Sequence, residues 1–318
     1  MADLARLRTA FMGTPLFAVP CLKKLHAVSD VAAVVTQPDR PRGRGQRMTP
    51  SPVKAYAIEQ GLPVFQPVKV RETAFLETLR KIQPDLIVVV AFGQILPSAI
   101  LALPKQGCIN VHASLLPRYR GAAPMQRCLM AGEKTTGVTT MFMDAGLDTG
   151  DMLQKTEIPI GPDMTLAELH DALMVRGADL LGTTLEALMV GTLRRETQDD
   201  AMANYAPMIT KETGRIDWTK SAVEIHNLVR ALDSWPGAYT FLVGKSYKIW
   251  RTHLADGTAH TAPGAFEPFT GQGLFVGTGE GRLEIVEIQA PGKKRMKATD
   301  YLRGHVLSSG SCFQSELP

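Results

Sequence analysis

Five consecutive apolar residues, Leu86-Ile87-Val88-Val89-Val90, leave a strand no face on which to meet water. Such a strand belongs in a parallel sheet covered on both sides, so the chain around it must supply more strands and the helices that connect them. The flanking pattern does so. Arg8 to Met12 reads as a short buried strand, Gly13-Thr14-Pro15 as a turn, Leu16 to His26 as an amphipathic helix and Val31 to Thr36 as a second strand. Val53 to Gln60 and Thr73 to Ile82 read as helices on either side of a brief strand at Pro63 to Phe65. Strand, turn, helix and strand in this order predict a right-handed parallel unit of the nucleotide-binding type. A dinucleotide cofactor is not implied, because Gly13 stands alone where GxGxxG is required.

Ligands enter open α/β sheets at the carboxyl ends of the strands, and two stretches there stand out. Phe92 and Gly93 follow the apolar run through a glycine turn, and with Ile95 they offer apolar surface suited to a flat heterocycle. Gly107 to Pro124 reads GCINVHASLLPRYRGAAP. If Cys108 to Ser114 is extended, Asn110, His112 and Ser114 share one face, while Ile109, Val111 and Ala113 share the other. Polar groups buried without partners cost about 1–3 kcal/mol each, so three together in an apolar sheet mark a site at the strand end.

Asn110-Val111-His112, then Ser114-Leu115-Leu116-Pro117, then Arg120-Gly121-Ala122-Ala123-Pro124 resemble the signature of the folate-dependent formyltransferases. The stretches Thr36 to Pro41, Leu147-Asp148-Thr149-Gly150-Asp151 and Gly214-Arg215-Ile216-Asp217-Trp218 resemble the same family in order and rough spacing, so the likeness spans nearly the whole chain. Ala113 departs from the pattern, standing where many members carry glycine. The resemblance implies 10-formyltetrahydrofolate as donor and the amino group of initiator methionyl-tRNA as acceptor. It also implies folate contacts at Ser114, Leu115, Leu116 and Pro117.

Formyl transfer to an amine passes through a tetrahedral intermediate, so the site needs a donor for the developing oxyanion and a carrier for the amine proton. Asn110 can donate through its amide. His112 can donate or relay, histidine being the side chain that changes charge near neutral pH, and Asp148 would hold it in orientation. These three are the candidate catalytic residues. No covalent enzyme intermediate and no metal are called for.

At 318 residues the chain exceeds what one hydrophobic core usually serves, and two domains are expected. The first spans 1–195, Rossmann-like with a parallel sheet, and closes on a long helix whose start is marked by the capping spacing of Thr165 and Glu168. Residues 196–213, with little periodicity, read as a linker. Beyond it a helix at Ala222 to Leu232 and short strand candidates separated by glycines predict a smaller OB-like β-barrel over 214–318. The fold class is therefore α/β followed by a β-barrel.

A net charge of +4 proves no polyanionic partner, so the distribution of charge matters more. Residues 37–52 hold Arg40, Arg42, Arg44 and Arg47 against one acid, Asp39, and four prolines that read as incompatible with a regular element. As a solvated loop it could also grip phosphates, and the matching family loop is associated with tRNA recognition, with Arg44 the strongest single residue. Lys293 and Lys294 open a second basic cluster. Four cysteines without a CxxC pair, no apolar run of membrane-spanning length and no leader pattern lead to the expectation of a cytoplasmic monomer without a membrane partner.

The same residues bear on other functions. Gly244-Lys245-Ser246 is no P-loop, because Tyr239 stands where its first glycine belongs. A hydrolytic triad of His112, Ser114 and Asp148 lacks the GxSxG elbow. Formyl transfer to a small amine such as a purine precursor or amino sugar would use the same three catalytic residues, and a noncatalytic RNA-binding protein would not need them.

Overall fold

A computed structural model describes residues 7–42, 47–257, 259, 261–267, 273–305 and 312–316. Arg8–Gly13 forms β1, a 3-10 turn at Leu16–Ala18 leads into α1 at Val19–Val28, and Asp30–Val35 forms β2. Pro20 in the first turn of α1 loses nothing, since the first helical N–H groups have no intrahelical partner. Arg40–Arg42 (β3) and Arg47–Thr49 (β4) follow, then α2 at Pro52–Glu59, β5 at Val64–Phe65, α3 at Thr73–Ile82 and β6 at Leu86–Val90. After α4 at Ser98–Leu101 come β7 at Cys108–His112, α5 at Pro124–Met130, β8 at Thr135–Phe142, β9 at Met152–Pro159 and α6 at Leu166–Met189.

The main sheet has the order β5-β2-β1-β6-β7-β8-β9. Its first five strands run parallel, and β8 is antiparallel to β7. Every residue of β6 is buried, as its apolar run requires. α3 turns Phe75 and Leu79 inward and ends where Gln83 takes a left-handed conformation at φ 51°. α6 starts on reciprocal bonds between Thr165 and Glu168. It lies so close to the sheet that a Cβ on Gly177 would sit 3.2 Å from Val111.

Residues 37–52 depart from the irregular loop expected of them. Arg40 pairs with Thr49, Pro41 with Met48 and Arg42 with Arg47 in an antiparallel ribbon. A two-stranded ribbon consists only of edge strands, and Pro41 can stand where no ladder donor is asked of it.

The described residues divide into two compact units. One comprises 1–121, 136–158 and 170–205, the other 122–135, 159–169 and 206–318. Where sequence alone expects a single cut through 196–213, residues 196–205 pack with the first unit and two earlier segments with the second.

In the second unit Ala222–Ala231 (α7) precedes Ala238–Leu242 (β10), Lys245–Ala255 (β11), Leu274–Gly277 (β12), Arg282–Gln289 (β13), Met296–Lys297 (β14) and Ala298–Gly304 (α8). The strands order as β10-β11-β13-β12, with β14 on β13. Single bridges Phe266–Val276, Ala265–Cys312 and Phe241–Gln314 carry the pairing from β12 back round to β10, closing the antiparallel sheet into a barrel. Inside, Trp218 stacks on Phe313 at 5.4 Å and donates its indole N–H to Thr240 Oγ1 at 2.9 Å. Large apolar side chains buried in this way contribute about 1.5–3 kcal/mol each, which gives the unit a core of its own.

α7 also buries two basic side chains. His226 Nε2–H donates to Pro162 O at 3.1 Å, leaving Nδ1 to accept from the Thr252 hydroxyl at 2.9 Å. Arg230 donates to Asn227 Oδ1 and to the carbonyls of Gly161 and Met164. Burial pushes His226 below the ordinary histidine value, against the opposing pull of the Pro162 bond and of Asp163. A histidine that takes up its proton more readily when unfolded withdraws stability as pH falls from the ordinary value near 6.5 through its folded value. We expect the melting temperature to fall between pH 7 and pH 5, and His226→Gln, though less stable at pH 7, to fall less steeply over the same interval. Melts in buffers matched for ionic strength check this, and parallel slopes would exclude His226 as a source of acid lability.

Candidate active site

β7 places Asn110 opposite Val89 of β6 and Met141 of β8, and His112 opposite Thr139. The other face of β7 and β8, with Val111 and Val138, lies under α6, where Thr140 bonds Thr184 at 2.8 Å. Asn110 and His112 therefore share the face away from that helix, as the alternation requires. Asn110 is half-buried, and no hydrogen bond within the described residues is recorded for its amide.

Ser114 does not continue this row, because the strand ends at His112. Its side chain is fully buried, and its hydroxyl donates to Arg118 O at 2.7 Å. Thr139 Oγ1 donates to Ser114 O and accepts from Leu116 N, fastening the turn to β8. Leu116 is buried against Met141 and Met152, while Leu115 and Pro117 remain partly exposed. Ser114 and Leu116 thus shape the turn, and Leu115 and Pro117 face its surface.

His112 is held from the other end of that turn. Its Nε2 lies 3.0 Å from Tyr119 O, and since a carbonyl can only accept, Nε2 carries the hydrogen. The site open to proton exchange is then Nδ1, which faces Asp148 Oδ2 at 3.7 Å. That separation exceeds a hydrogen bond but lies within reach of an ion pair, so the Tyr119 bond fixes the ring while Asp148 faces it as a charge. Asp148 Oδ2 accepts instead from Gly121 N at 2.8 Å. Asp148 itself has φ 55°, a left-handed conformation uncommon outside glycine. Its loop is braced by Asp144 Oδ1, which accepts from Gly146 N and from the Thr149 hydroxyl.

An amide, an imidazole and a carboxylate gathered in this way are the groups that can stabilise an oxyanion and move a proton. The thiol of Cys108, two residues before Asn110 on β7, is buried. Burial pushes Cys108 up to about 12, and Cys21 likewise. Among the described residues no group of three His, Cys, Asp or Glu side chains is arranged for a metal ion, and no helix is long and apolar enough to cross a membrane.

The remaining candidates separate by exposure. Phe92 is buried in the core, and its carbonyl accepts from the Thr14 hydroxyl and from Gln37 Nε2. Gly93, at φ 84°, and Ile95, 86% exposed, lie open beyond it. Arg40 is exposed on β3, the backbone of Arg42 pairs with Arg47, and Arg44 lies outside the described residues. Asp39 is engaged by Lys54 Nζ at 2.6 Å and by Gln66 Nε2 at 2.8 Å, and these bonds hold its carboxyl below the usual range. Lys293 and Lys294 are exposed at the turn after β13, whereas Arg295 is engaged with Glu287 and Asp233.

Four participants escaped the sequence reading. Tyr119 and Gly121 act through backbone atoms inside the motif, and Gln198 and Asn204 act from the stretch that lacks periodicity. Side-chain chemistry signals none of them.

The family described as "Formyl transferase" matches residues 7–185, and "Formyl transferase, C-terminal domain" matches residues 208–306. The chain is 53% identical over 309 residues to a methionyl-tRNA formyltransferase of Geobacter sulfurreducens, covering 97% of both chains. It is 50% identical over 300 residues to that of Clostridium novyi, covering 94% of this chain and 97% of the relative. Among solved structures, an N-formyltransferase from Helicobacter canadensis in complex with folinic acid and dTDP-3-aminofucose superposes at TM-score 0.69 and 20% identity, over 88% of this chain and 99% of that one. HypX from Aquifex aeolicus in complex with tetrahydrofolic acid gives 0.61 at 17% identity, over 93% and 47%. These two share the fold.

The loop bearing Asp148 depends on close backbone approach at Gly150, where a Cβ would lie 1.9 Å from Phe142 O. Backbone cannot yield as a flexible side chain would. Gly150→Ala should lower stability by about 1–3 kcal/mol, read as a lower urea midpoint, and an unchanged midpoint would mean that this approach is not needed.

Proposed function

The chain belongs to the formyl transferase family, and we propose that it transfers the formyl group of 10-formyltetrahydrofolate to the amino group of initiator methionyl-tRNA. The observation that carries this reading is identity above one half, over nearly the full length, to methionyl-tRNA formyltransferases. Sugar N-formyltransferases share the fold at 20% identity or less, too distant to argue for a sugar acceptor. The reaction belongs in the cytoplasm, where aminoacylated tRNA is used.

The folate co-substrate supplies the formyl carbon and, on cleavage of its C–N bond, the leaving nitrogen. Asn110 directs its amide N–H at the formyl oxygen, where negative charge develops as the amine adds. His112 Nδ1 takes the proton that the attacking amine sheds and returns it to the departing nitrogen, while Nε2–H stays on Tyr119 O. Asp148, 3.7 Å from Nδ1, stabilises the imidazolium while it carries that proton. The exposed Gly93 and Ile95, with Leu115 and Pro117, fit the folate ring system at the carboxyl ends of β6 and β7. Phe92, Ser114 and Leu116 hold the backbone that presents them. Arg40, Arg42 and Arg44 meet phosphates at the acceptor end of the tRNA, and the second unit, with Lys293 and Lys294, adds affinity for the same ligand.

Labelled formyl donor offered in parallel to methionyl-tRNA, free methionine and small amines tests the acceptor, and labelling of small amines alone would overturn the reading. Asp148→Asn and His112→Ala should slow single turnover by about 10²–10⁴-fold and Asn110→Ala by about 10²–10³-fold, with melting temperatures preserved. Near-normal turnover in any one removes that residue from the mechanism. Arg44→Ala should weaken tRNA binding and reduce its salt slope by about one counterion at most, leaving donor affinity alone. Kinetics unchanged at every salt concentration would count against any role for residues 37–52 in acceptor recognition.

A further inference from the structure

Two residues beside the catalytic pair take left-handed conformations without being glycine, Tyr119 at φ 61° and Asp148 at φ 55°. Such conformations cost free energy and persist where the surroundings over-determine them. Both are held by one stretch of chain, residues 198–204. Gln198 Nε2 donates both of its hydrogens, one to Asp148 O and one to Gly150 O, each at 2.8 Å. Its Oε1 accepts from Arg120 Nε at 2.9 Å, and Arg120 Nη2 donates onward to Asp200 Oδ1 at 2.8 Å. The Gln198 side chain is buried with donors and acceptor all satisfied, so its amide has one orientation only. Six residues on, Asn204 Oδ1 accepts from Tyr119 N and Asn204 O accepts from Arg120 N at 3.0 Å.

We propose that the strap 198–204 is the template that sets the geometry of the catalytic pair, with Gln198 positioning Asp148 and Asn204 positioning, through Tyr119 O, the imidazole of His112. Neither touches a reacting atom. Gln198 acts through the backbone of the 148–150 loop, and Asn204 acts through the turn whose carbonyl fixes the His112 tautomer. The Asp148 carboxylate also accepts from Gly121 N, so the strap and this bond together tie the 148–150 loop to the Arg120 turn.

The inference rests on the roles given above to His112 and Asp148, and the experiment separates the two. In the full-length chain, Gln198→Ala should lower kcat by about 10–100-fold, because displacement of about 1 Å can cost about 10²-fold. KM for donor and acceptor should stay within about twofold of wild type. Gln198→Glu keeps the volume but removes both donors and sets a carboxylate against two carbonyl oxygens. It should fall at least as far as Ala, whereas a near-normal Glu variant would mean that Gln198 only fills space. Asn204→Ala should lower kcat with the same signature.

A double-mutant cycle decides whether Gln198 works through Asp148. In the Asp148→Asn background, adding Gln198→Ala should change single-turnover rate by less than about twofold. If the losses multiply, Gln198 acts through general damage and the proposal is overturned. If Asp148→Asn loses activity while Gln198→Ala and Asn204→Ala do not, the template is disproved and the catalytic reading stands. Undiminished turnover in Asp148→Asn would overturn both. Thermal melts on every variant identify loss of folded protein, which predicts multiplication rather than the expected saturation.

Discussion

One hydrogen, on Nε2 of His112, determines what the site can do. Committed to Tyr119 O, it turns Nδ1 toward Asp148. The arrangement needs the ring at the end of a strand and a turn that brings a carbonyl back over it. β7 supplies the first, because its place beside the fully buried β6 ends both strands on one edge of the sheet. Thr139 supplies part of the second by tying Ser114 and Leu116 to β8. The chemistry of one side chain is thus set by backbone atoms of residues whose own side chains take no part.

Elements whose order comes from burial were legible in the sequence. The apolar run of β6, the amphipathic α3 and the capping spacing of α6 each carry a period or a position that water enforces. Asn110 and His112 share a face of β7 as their alternation requires, and Asp148 lies beside the imidazole, a nearness that no periodicity signals. Ser114 departs from the alternation because the strand ends two residues before it, where the Thr139 hydroxyl of another strand bonds the Ser114 carbonyl. The prolines of residues 37–52 read as breakers, which they are in a sheet interior but not in a ribbon made only of edges.

Residues 196–205 were illegible for a deeper reason. Their order comes from side chains bonded to main-chain groups, Gln198 to two carbonyls and Asn204 to an amide, and such bonds impose no periodicity. Loose patterning reads as a linker, whereas Gln198 and Asn204 bond this segment to the backbone of the first unit. A glutamine or asparagine in an aperiodic stretch carries no sign of whether it meets water or backbone.

The second unit closes its barrel through single bridges to Cys312 and Gln314, residues that follow every strand they join. Thr240 and Gln314, bonded at 2.9 Å, lie 74 positions apart in sequence. During synthesis β10 through β14 can pair in turn and Phe266 can join β12, yet until residues 312–314 arrive the sheet stays open, with Phe241 of β10 and the segment at Ala265 lacking their partners. Open edges of that kind recruit other chains, and long-range closures are slow. The nascent barrel is therefore exposed to off-pathway strand exchange for as long as its last staple is missing, and chaperones would matter most in that interval.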